Sequence, residues 1–418
     1  MLNHGTTRLF SASDNKAEYK TMVRTLSGEN KSTKLESKII NDCLLEHVCK
    51  KVNNTKEIYV IHDPSDIRKP HSRKTDNLGK VRALNGDIIN GYSTHNMVAI
   101  SPNNKAVHLL SHISYSNTDP KFLKRDFITK LDKKSPFEGD DKARELYASK
   151  DYFNKKTLST EEIKRVSEGL KKTNETALIT HILDREFDDD EYLKLIDKEI
   201  SQDYVIRAKK SRSLKAKGDD GKKIKLIAAN FSNIGEKKFQ KLRIGNKCIQ
   251  DGKMTVSWHK FEDYNAVKIK ICDRKGESVF KDEMLILTNK DIASLEQAYQ
   301  VYMMYLKRSK IEYVFKFLKE GLGWEEMQIQ DFKAIQNLLS ICFYVASYLY
   351  EIGEEKAYDD YAILLAELGG GKDKVTRHFI TKGIRQLLEH FRVARILKDK
   401  DVSQAQQNTL ADTFEIVL

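Results

Sequence analysis

Cysteines are scarce in this sequence, and their arrangement bears on where the protein works. The five cysteines among the 418 residues form no CxxC pair and are widely spaced. An odd number of scattered cysteines is typical of reduced thiols in a cytoplasm. We therefore expect a cytoplasmic protein without a disulfide framework.

Long hydrophobic segments are also absent. The opening stretch MLNHGTTRLFSASDNK has no apolar core followed by a cleavage site, so we expect no secretory signal peptide. The most hydrophobic run, LLSICFYVASYLY at 338–350, is too short to span a bilayer and predicts a buried helix. We expect no membrane partner.

Positive charge, by contrast, is abundant. Lysine and arginine outnumber aspartate and glutamate by 73 to 61, which gives a net charge of +12. Such a balance favours a polyanionic partner, most often nucleic acid. Nine basic residues lie within 207–225, and Arg207, Lys209 and Lys210 are the candidate DNA contacts there. The alternative for this stretch is a solvated lysine loop.

Hydrophobic periodicity places alternating helices and strands in the first half of the chain. Helices are predicted at 34–52, about 159–172 and 188–200. Strands are predicted at 58–63, 91–101, 106–116, 177–186 and 203–210, with a turn at 102–104 between the second and third. This order predicts a mixed sheet with helices around it.

The character of the chain changes at about residue 211. The turn signals GDDG, IGN, QDG and DRKG separate the short predicted strands KLIAANF, KMTVSWHKF, AVKIKIC and EMLILT, so 211–288 is predicted to be β-rich. Helices are predicted at 291–320, 330–352, 357–368 and 373–398. The three glycines at 369–371 break the last pair of helices, and no GK[ST] follows them, so we do not expect a phosphate loop.

Three acidic residues stand at positions from which they could meet. Asp63 is predicted to close the first strand, Asp184 lies at the end of the strand 177–186, and Glu312 lies on the helix 291–320. Converging carboxylates make a hard oxygen-ligand site of the kind that Mg²⁺ prefers. Rivals remain for two of them: Asp66 and Asp76 for the first, and the acidic run at 188–190 for the second, which caps a helix in the alternative interpretation.

The helix that carries Glu312 also carries candidate phosphate contacts. Tyr305, Arg308, Glu312 and Lys319 stand at i, i+3, i+7 and i+14, which an ideal α-helix keeps within roughly a 60° sector. Arginine offers a bidentate fork, lysine a point charge and tyrosine a hydroxyl group. A lysine-rich amphipathic helix that carries one glutamate by chance is the alternative.

This pattern resembles a known family. The spacing Tyr305-x2-Arg308-x3-Glu312-x6-Lys319 matches the Y-R-E-K signature of bacterial insertion-sequence transposases of the IS-four family, a branch of the DDE transposases. The blocks IYVIHDPSDIRKPHSRKTDNL and LITHILDREFDD resemble that family's first and second aspartate blocks. The resemblance implies that Asp63, Asp184 and Glu312 are the catalytic and metal-binding triad, and that Tyr305, Arg308 and Lys319 contact DNA.

The resemblance also implies an architecture and a reaction. The fold would be α/β, with an RNase H-like mixed sheet and flanking helices, interrupted by a β-rich insertion and accompanied by helical N- and C-terminal regions. The corresponding domains are a short N-terminal DNA-binding region (1–56), a catalytic core in two parts (57–210 and 289–352), the insertion (211–288) and a C-terminal region (353–418). The reaction would be cut-and-paste transposition of double-stranded DNA with Mg²⁺ or Mn²⁺, using two ions and a homodimer on paired transposon ends in the bacterial nucleoid.

Some features depart from the family's pattern. Met284 stands where some relatives place a base-stacking tryptophan, and Trp258 is expected in the core. The helical region before the first aspartate is short, so a truncated or inactive DNA-binding relative is one alternative, and a nuclease without strand transfer is another. His108 and His112 lie on a predicted strand with no HExxH motif, so no zinc role is expected. The basic C-terminal helix predicts helix packing, or else contact with DNA or a second copy.

Overall fold

The computed structural model describes residues 7, 15–29, 35–83, 85–102, 106–122, 152–215, 223–244, 247–262, 264–354, 358–372 and 374–399. Three predicted turns, at 102–104, at GDDG (218–221) and at IGN (244–246), lie wholly or mainly outside these residues, as do two lysines of the basic stretch, Lys217 and Lys222.

A ten-stranded mixed sheet forms the centre of the fold. The strands are β1 (Glu57–Arg68), β2 (Gly79–Arg82), β3 (Ile88–Ile100), β4 (Val107–Tyr115), β5 (Leu178–Leu183), β6 (Asp203–Arg207), β9 (Asn233–Ile244), β10 (Lys247–Lys260), β11 (Asn265–Cys272) and β12 (Met284–Thr288); β7 (Ser213–Lys215) and β8 (Lys223–Lys225) form a separate hairpin. The five predicted strands before residue 211 are all present.

The first part of the sheet has the order β4-β3-β1-β5-β6. Strands β1, β3 and β4 are antiparallel neighbours, whereas β5 is parallel to β1 and β6 is parallel to β5. Parallel strands need a crossover, which α3 (Lys155–Thr173) supplies before β5. This arrangement confirms the predicted α/β class and the RNase H-like mixed sheet with flanking helices.

The strands of the β-rich stretch extend the same sheet. Strand β12 pairs antiparallel with β6, and β11, β10 and β9 follow in that order to the far edge. Two local predictions there were wrong. The supposed turn QDG lies inside β10, where Asp251 takes a positive φ of 48°, and the supposed strand KLIAANF is only the end of β8 followed by a 3-10 turn, Leu226–Ala228.

Helices cover the sheet. They are α1 (Lys16–Ser27), α2 (Ser37–Lys51), α3, α4 (Asp190–Lys194), α5 (Leu295–Leu306), α6 (Ser309–Lys316), α7 (Phe332–Glu354), α8 (Asp359–Leu368) and α9 (Arg377–Asp399). Helix α7 packs against β4, α1 and α2. The predicted buried helix at 338–350 is confirmed, since Leu339, Cys342 and Phe343 are fully buried.

The predicted single helix 291–320 is not continuous. Helix α5 ends at Leu306, the chain turns at 307–308, α6 follows, and a π-helical turn, Phe317–Gly321, completes the segment. At the turn, the Arg308 amide donates to the Tyr305 carbonyl at 3.0 Å, an i to i−3 bond instead of the α-helical i to i−4 bond. The sector calculated for an ideal helix therefore does not describe how the four signature residues are arranged. The prediction for 188–200 was likewise too regular, because α4 ends at Lys194 and a π-helix, Leu195–Glu199, replaces the rest.

Other core predictions hold. Trp258 lies in the hydrophobic core and is 9% exposed, as expected. At the C-terminal end, α8 and α9 cross closely, since a Cβ on Gly383 would lie 1.8 Å from the Leu365 carbonyl oxygen. Helix packing was one of the two interpretations of the C-terminal helix, and it is observed.

Within the ranges that the structure describes, no helix combines the length and the apolar character needed to cross a membrane.

Candidate active site

Strand pairing brings the first two candidate acids to one face of the sheet. Asp63 lies in the middle of β1, opposite Asn96 of β3, so the expectation that it closes the strand was wrong. Ile61 pairs with Ile182 of β5, and side chains two residues further along a strand return to the same face. Asp184 directly follows β5, which confirms that an acid ends this strand. Asp63 and Asp184 therefore lie on the same side of neighbouring strands.

A single guanidinium group joins the first and third acids. Arg308 Nη1 donates to Asp63 Oδ2 at 2.9 Å, and its Nη2 donates to Glu312 Oε1. The side chains of Arg308 and Asp63 are only 17% and 14% exposed, whereas that of Glu312 is 55% exposed. The structure thus places Asp63, Arg308 and Glu312 in one cluster, with the cation in the middle.

The second acid is reached by Tyr305, on the last turn of α5. The Tyr305 hydroxyl donates to Asp184 Oδ1 at 3.2 Å. Burial raises the pKa of Tyr305 to about 12, and the neighbouring Asp184 charge adds to that effect. The hydroxyl group therefore keeps its proton at neutral pH and stays a hydrogen-bond donor.

Asp63 is buried beside the charges of the other two acids, and this changes its protonation. Its pKa is raised to about 7: burial is the main cause, the Arg308 charge opposes the rise, and the charges of Asp184 and Glu312 contribute to it. A carboxylate that is buried next to two other acids is a poor anion unless a cation neutralises it. These three acids therefore interact through their charges, and the site favours bound positive charge.

The carboxylates of the cluster are suitable ligands for a divalent cation, but in this structure two of them bind Arg308. Carboxylate oxygens are the ligands that Mg²⁺ and Mn²⁺ prefer. Among the residues that the structure describes, no group of three or more His, Cys, Asp or Glu side chains is arranged to hold a metal ion. The carboxylate oxygens of Asp63, Asp184 and Glu312 are suitable donors for a metal ion. Arg308 must first release Asp63 and Glu312 before these two carboxylates could bind the same ion.

Lys319 lies apart from the Arg308 cluster and is held by an acid that the sequence did not single out. Its Nζ donates to the Asp66 carbonyl at 3.0 Å and lies 3.2 Å from Glu325 Oε1. Glu325 also accepts from Arg68 Nε and Nη2 at 3.0 and 2.9 Å. The acidic pair at 325–326, next to the fully buried Trp324, was the available signal for this residue.

Four of the five rival acids have structural partners of their own, and the fifth is exposed. Asp66 accepts from Ser93 Oγ at 3.2 Å, and Asp76 is exposed in the loop after β1. In the run 188–190, Asp188 is buried against Arg212, Asp189 caps α4 and Asp190 pairs with Arg212. Helix capping, the alternative for this run, is therefore observed at Asp189. These contacts favour Asp63 and Asp184 over their rivals.

The three basic DNA-contact candidates differ in how available they are. The Lys209 amide and Nζ both donate to Asp188, at 2.6 and 2.8 Å, so this residue supports the fold. Lys210 is exposed and forms an ion pair with Asp282 at 2.6 Å. Arg207, at the end of β6, is near enough to Tyr305 for its charge to lower the pKa of that hydroxyl. Arg207 and Lys210 remain the better candidates.

Comparison with known proteins adds one match. Residues 151–348, a little under half of the chain, match the family model described as Transposase DDE domain. The matched range contains Asp184 and the residues from Tyr305 to Lys319, but begins after Asp63. No curated protein matches the chain. The match supports transposase function, and with it a DNA-acting enzyme that depends on divalent metal.

Proposed function

We propose that the chain is a DNA transposase of the IS-four family, which cuts the ends of a bacterial insertion sequence and joins them to target DNA. The observation that carries the proposal is the cluster around Arg308. One guanidinium contacts Asp63 and Glu312, and Tyr305 in the preceding turn contacts Asp184. Residues of both aspartate blocks and of the Y-R-E-K segment meet there, in a chain whose second and third acids fall within a DDE transposase match.

In the proposed reaction, Asp63, Asp184 and Glu312 would hold two Mg²⁺ or Mn²⁺ ions. When bound, the ions would activate the attacking oxygen and neutralise charge on the phosphate. The protein's own contribution is to position the DNA. Arg308 offers two parallel N–H donors to a phosphate, and the protonated Tyr305 hydroxyl offers one more. Arg207 and Lys210 extend the positive surface along the backbone.

The chemistry consists of successive displacements at phosphorus. Water first bonds to the phosphorus atom at the transposon end, and the P–O3′ bond breaks to leave a 3′-OH. That 3′-OH then attacks a phosphodiester of the opposite strand, which forms a hairpin and releases the flanking DNA. A second water molecule opens the hairpin and regenerates the 3′-OH, which later attacks a phosphodiester of the target DNA. Each displacement breaks one P–O bond and forms another. The enzyme would act as a homodimer on paired ends, in the bacterial cytoplasm at the nucleoid.

Nicking of supercoiled plasmid in Mg²⁺ or Mn²⁺ tests the proposed triad. Asp63→Asn, Asp184→Asn and Glu312→Gln should each abolish nicking, whereas Asp291→Asn, at a side chain that is 88% exposed, should leave it unchanged. Nicking that survives any of the three substitutions contradicts the triad.

A strand-joining assay with a pre-cut 3′-OH end separates the related functions. A transposase joins this end to a second duplex. A nuclease on the same fold nicks without joining, and an inactive DNA-binding relative does neither while still shifting the duplex in a gel.

A further inference from the structure

Arg308 occupies the place where a metal ion would be shared. Its Nη1 lies 2.9 Å from Asp63 Oδ2, and its Nη2 contacts Glu312 Oε1. A guanidinium and a divalent cation compete for the same carboxylate oxygens. We call the contact of Arg308 with both Asp63 and Glu312 the two-armed contact. While it persists, these two carboxylates cannot bind one metal ion together.

Breaking the contact between Arg308 and Asp63 carries a cost. Asp63 is 14% exposed, and removal of one partner of a buried ion pair is strongly destabilising because the other charge is left uncompensated. The departure of Arg308 therefore costs least when another cation takes its place at Asp63. Release of Arg308 from the carboxylates is favoured further if its guanidinium binds another anion equally well. A phosphate is such an anion, because it accepts the same two parallel N–H bonds.

The backbone around Arg308 is irregular enough to permit such an exchange. Arg308 lies in the turn between α5 and α6, and α6 is only eight residues long before the π-helical turn Phe317–Gly321. Short 3-10 and π segments within a helix often mark functional hinges. Glu312 is 55% exposed, so its side chain has room to turn away from Arg308.

We propose that Arg308 is an autoinhibitory latch: without DNA it holds Asp63 and Glu312 closed, and a DNA phosphate draws it away so that the metal can enter. The proposal rests on the proposed function and adds a regulation of the same site. Because binding free energies are coupled reciprocally, DNA should raise metal affinity and metal should raise DNA affinity by the same factor.

Calorimetric titration of the full chain with Mn²⁺ tests the latch without any measurement of turnover. Arg308→Gln should bind Mn²⁺ at least about tenfold more tightly than wild type in the absence of DNA, within the usual range of such couplings. Lys316→Gln removes a positive charge from the helix that carries Glu312, at a side chain that is 69% exposed and pairs with Glu320, and it should change the affinity by no more than about twofold. Circular dichroism confirms that each variant is folded.

Two further Mn²⁺ titrations test how Arg308 blocks the metal site. Arg308→Lys keeps the charge but cannot bridge two carboxylates, so its Mn²⁺ affinity should lie between those of wild type and Arg308→Gln. Saturation with a short duplex of arbitrary sequence should tighten Mn²⁺ binding at least about tenfold in wild type, and much less in Arg308→Gln.

The outcomes separate the latch from the proposed function. If wild type without DNA binds Mn²⁺ as tightly as Arg308→Gln does, or if Lys316→Gln gives the same gain, the latch is wrong while the transposase assignment stands. If Arg308→Lys equals wild type, charge alone is responsible and the two-armed contact is wrong. If no protein binds Mn²⁺ with or without DNA, both the latch and the proposed function are wrong.

Discussion

Asp63→Asn should change how stability depends on pH. The pKa of Asp63 is raised from 3.8 to about 7 in the folded protein, with burial as the main cause. Between these two values the folded state holds a proton that the unfolded state has released. The wild-type protein therefore loses stability as the pH rises through this window, and the asparagine variant lacks that loss.

The magnitude follows from the two pKa values. A gap of about three units, at 1.36 kcal/mol per unit, gives about 4 kcal/mol over the whole window. About 2 to 3 kcal/mol of this falls between pH 5 and pH 8, because part of the titration is complete below pH 5. The free energy of unfolding of wild type, measured relative to Asp63→Asn, should fall by that amount over this range.

Urea unfolding at a series of pH values provides the measurement. Tryptophan fluorescence is a suitable signal, since Trp324 is fully buried. Asp291→Asn serves as the control, and its offset from wild type should stay constant with pH because its side chain is exposed. If wild type and Asp63→Asn keep a constant offset in unfolding free energy from pH 5 to pH 8, a buried Asp63 carboxyl with a raised pKa is refuted.

Three further predictions follow from other contacts. Glu325→Gln should weaken the ion pairs with Lys319 and its arginine partner and lower stability by about 1 to 3 kcal/mol, measured by urea unfolding; an unchanged midpoint contradicts the role of this acid. Gly383→Ala should lower the melting temperature, because a Cβ would lie 1.8 Å from the Leu365 carbonyl oxygen, whereas Gly353→Ala, with its nearest neighbours at 3.6 Å, should not. DNA affinity should fall by roughly 0.9 log units per log unit of salt for each phosphate neutralised, and a flat response in a filter-binding titration contradicts DNA binding through the basic surface.

Much of the sheet could be predicted because buried strands have a clear hydrophobic pattern. The strands around Asp63 and Asp184 are continuous apolar runs, and their pairing follows from strand alternation and a helical crossover. Strand β9 was missed because its sequence, NIGEKKFQKLRI, is rich in lysine and largely exposed at the edge of the sheet. The four-residue β2 has too short a pattern to detect.

The local geometry of the candidate site could not be predicted in the same way. Apolar residues continue at helical spacing through 307–308, so nothing in the pattern indicated that α5 ends there. The partners of Arg308 and Lys319 depend on tertiary contacts: Arg308 meets an acid 245 residues earlier in the chain, and Lys319 is held by Glu325. Sequence spacing indicates which residues belong to the site, but it does not give their hydrogen-bond partners.

Metal-directed cleavage of the polypeptide tests the central claim most directly, because it asks whether Asp63, Asp184 and Glu312 surround one metal site. Fe²⁺ bound in place of Mg²⁺, with ascorbate and hydrogen peroxide, generates radicals that cut the nearby backbone. With duplex DNA present, the account predicts cuts next to all three residues, suppressed by excess Mg²⁺ and lost in Asp63→Asn. Cuts that are confined to one of the three segments, or that persist in Asp63→Asn, would contradict it.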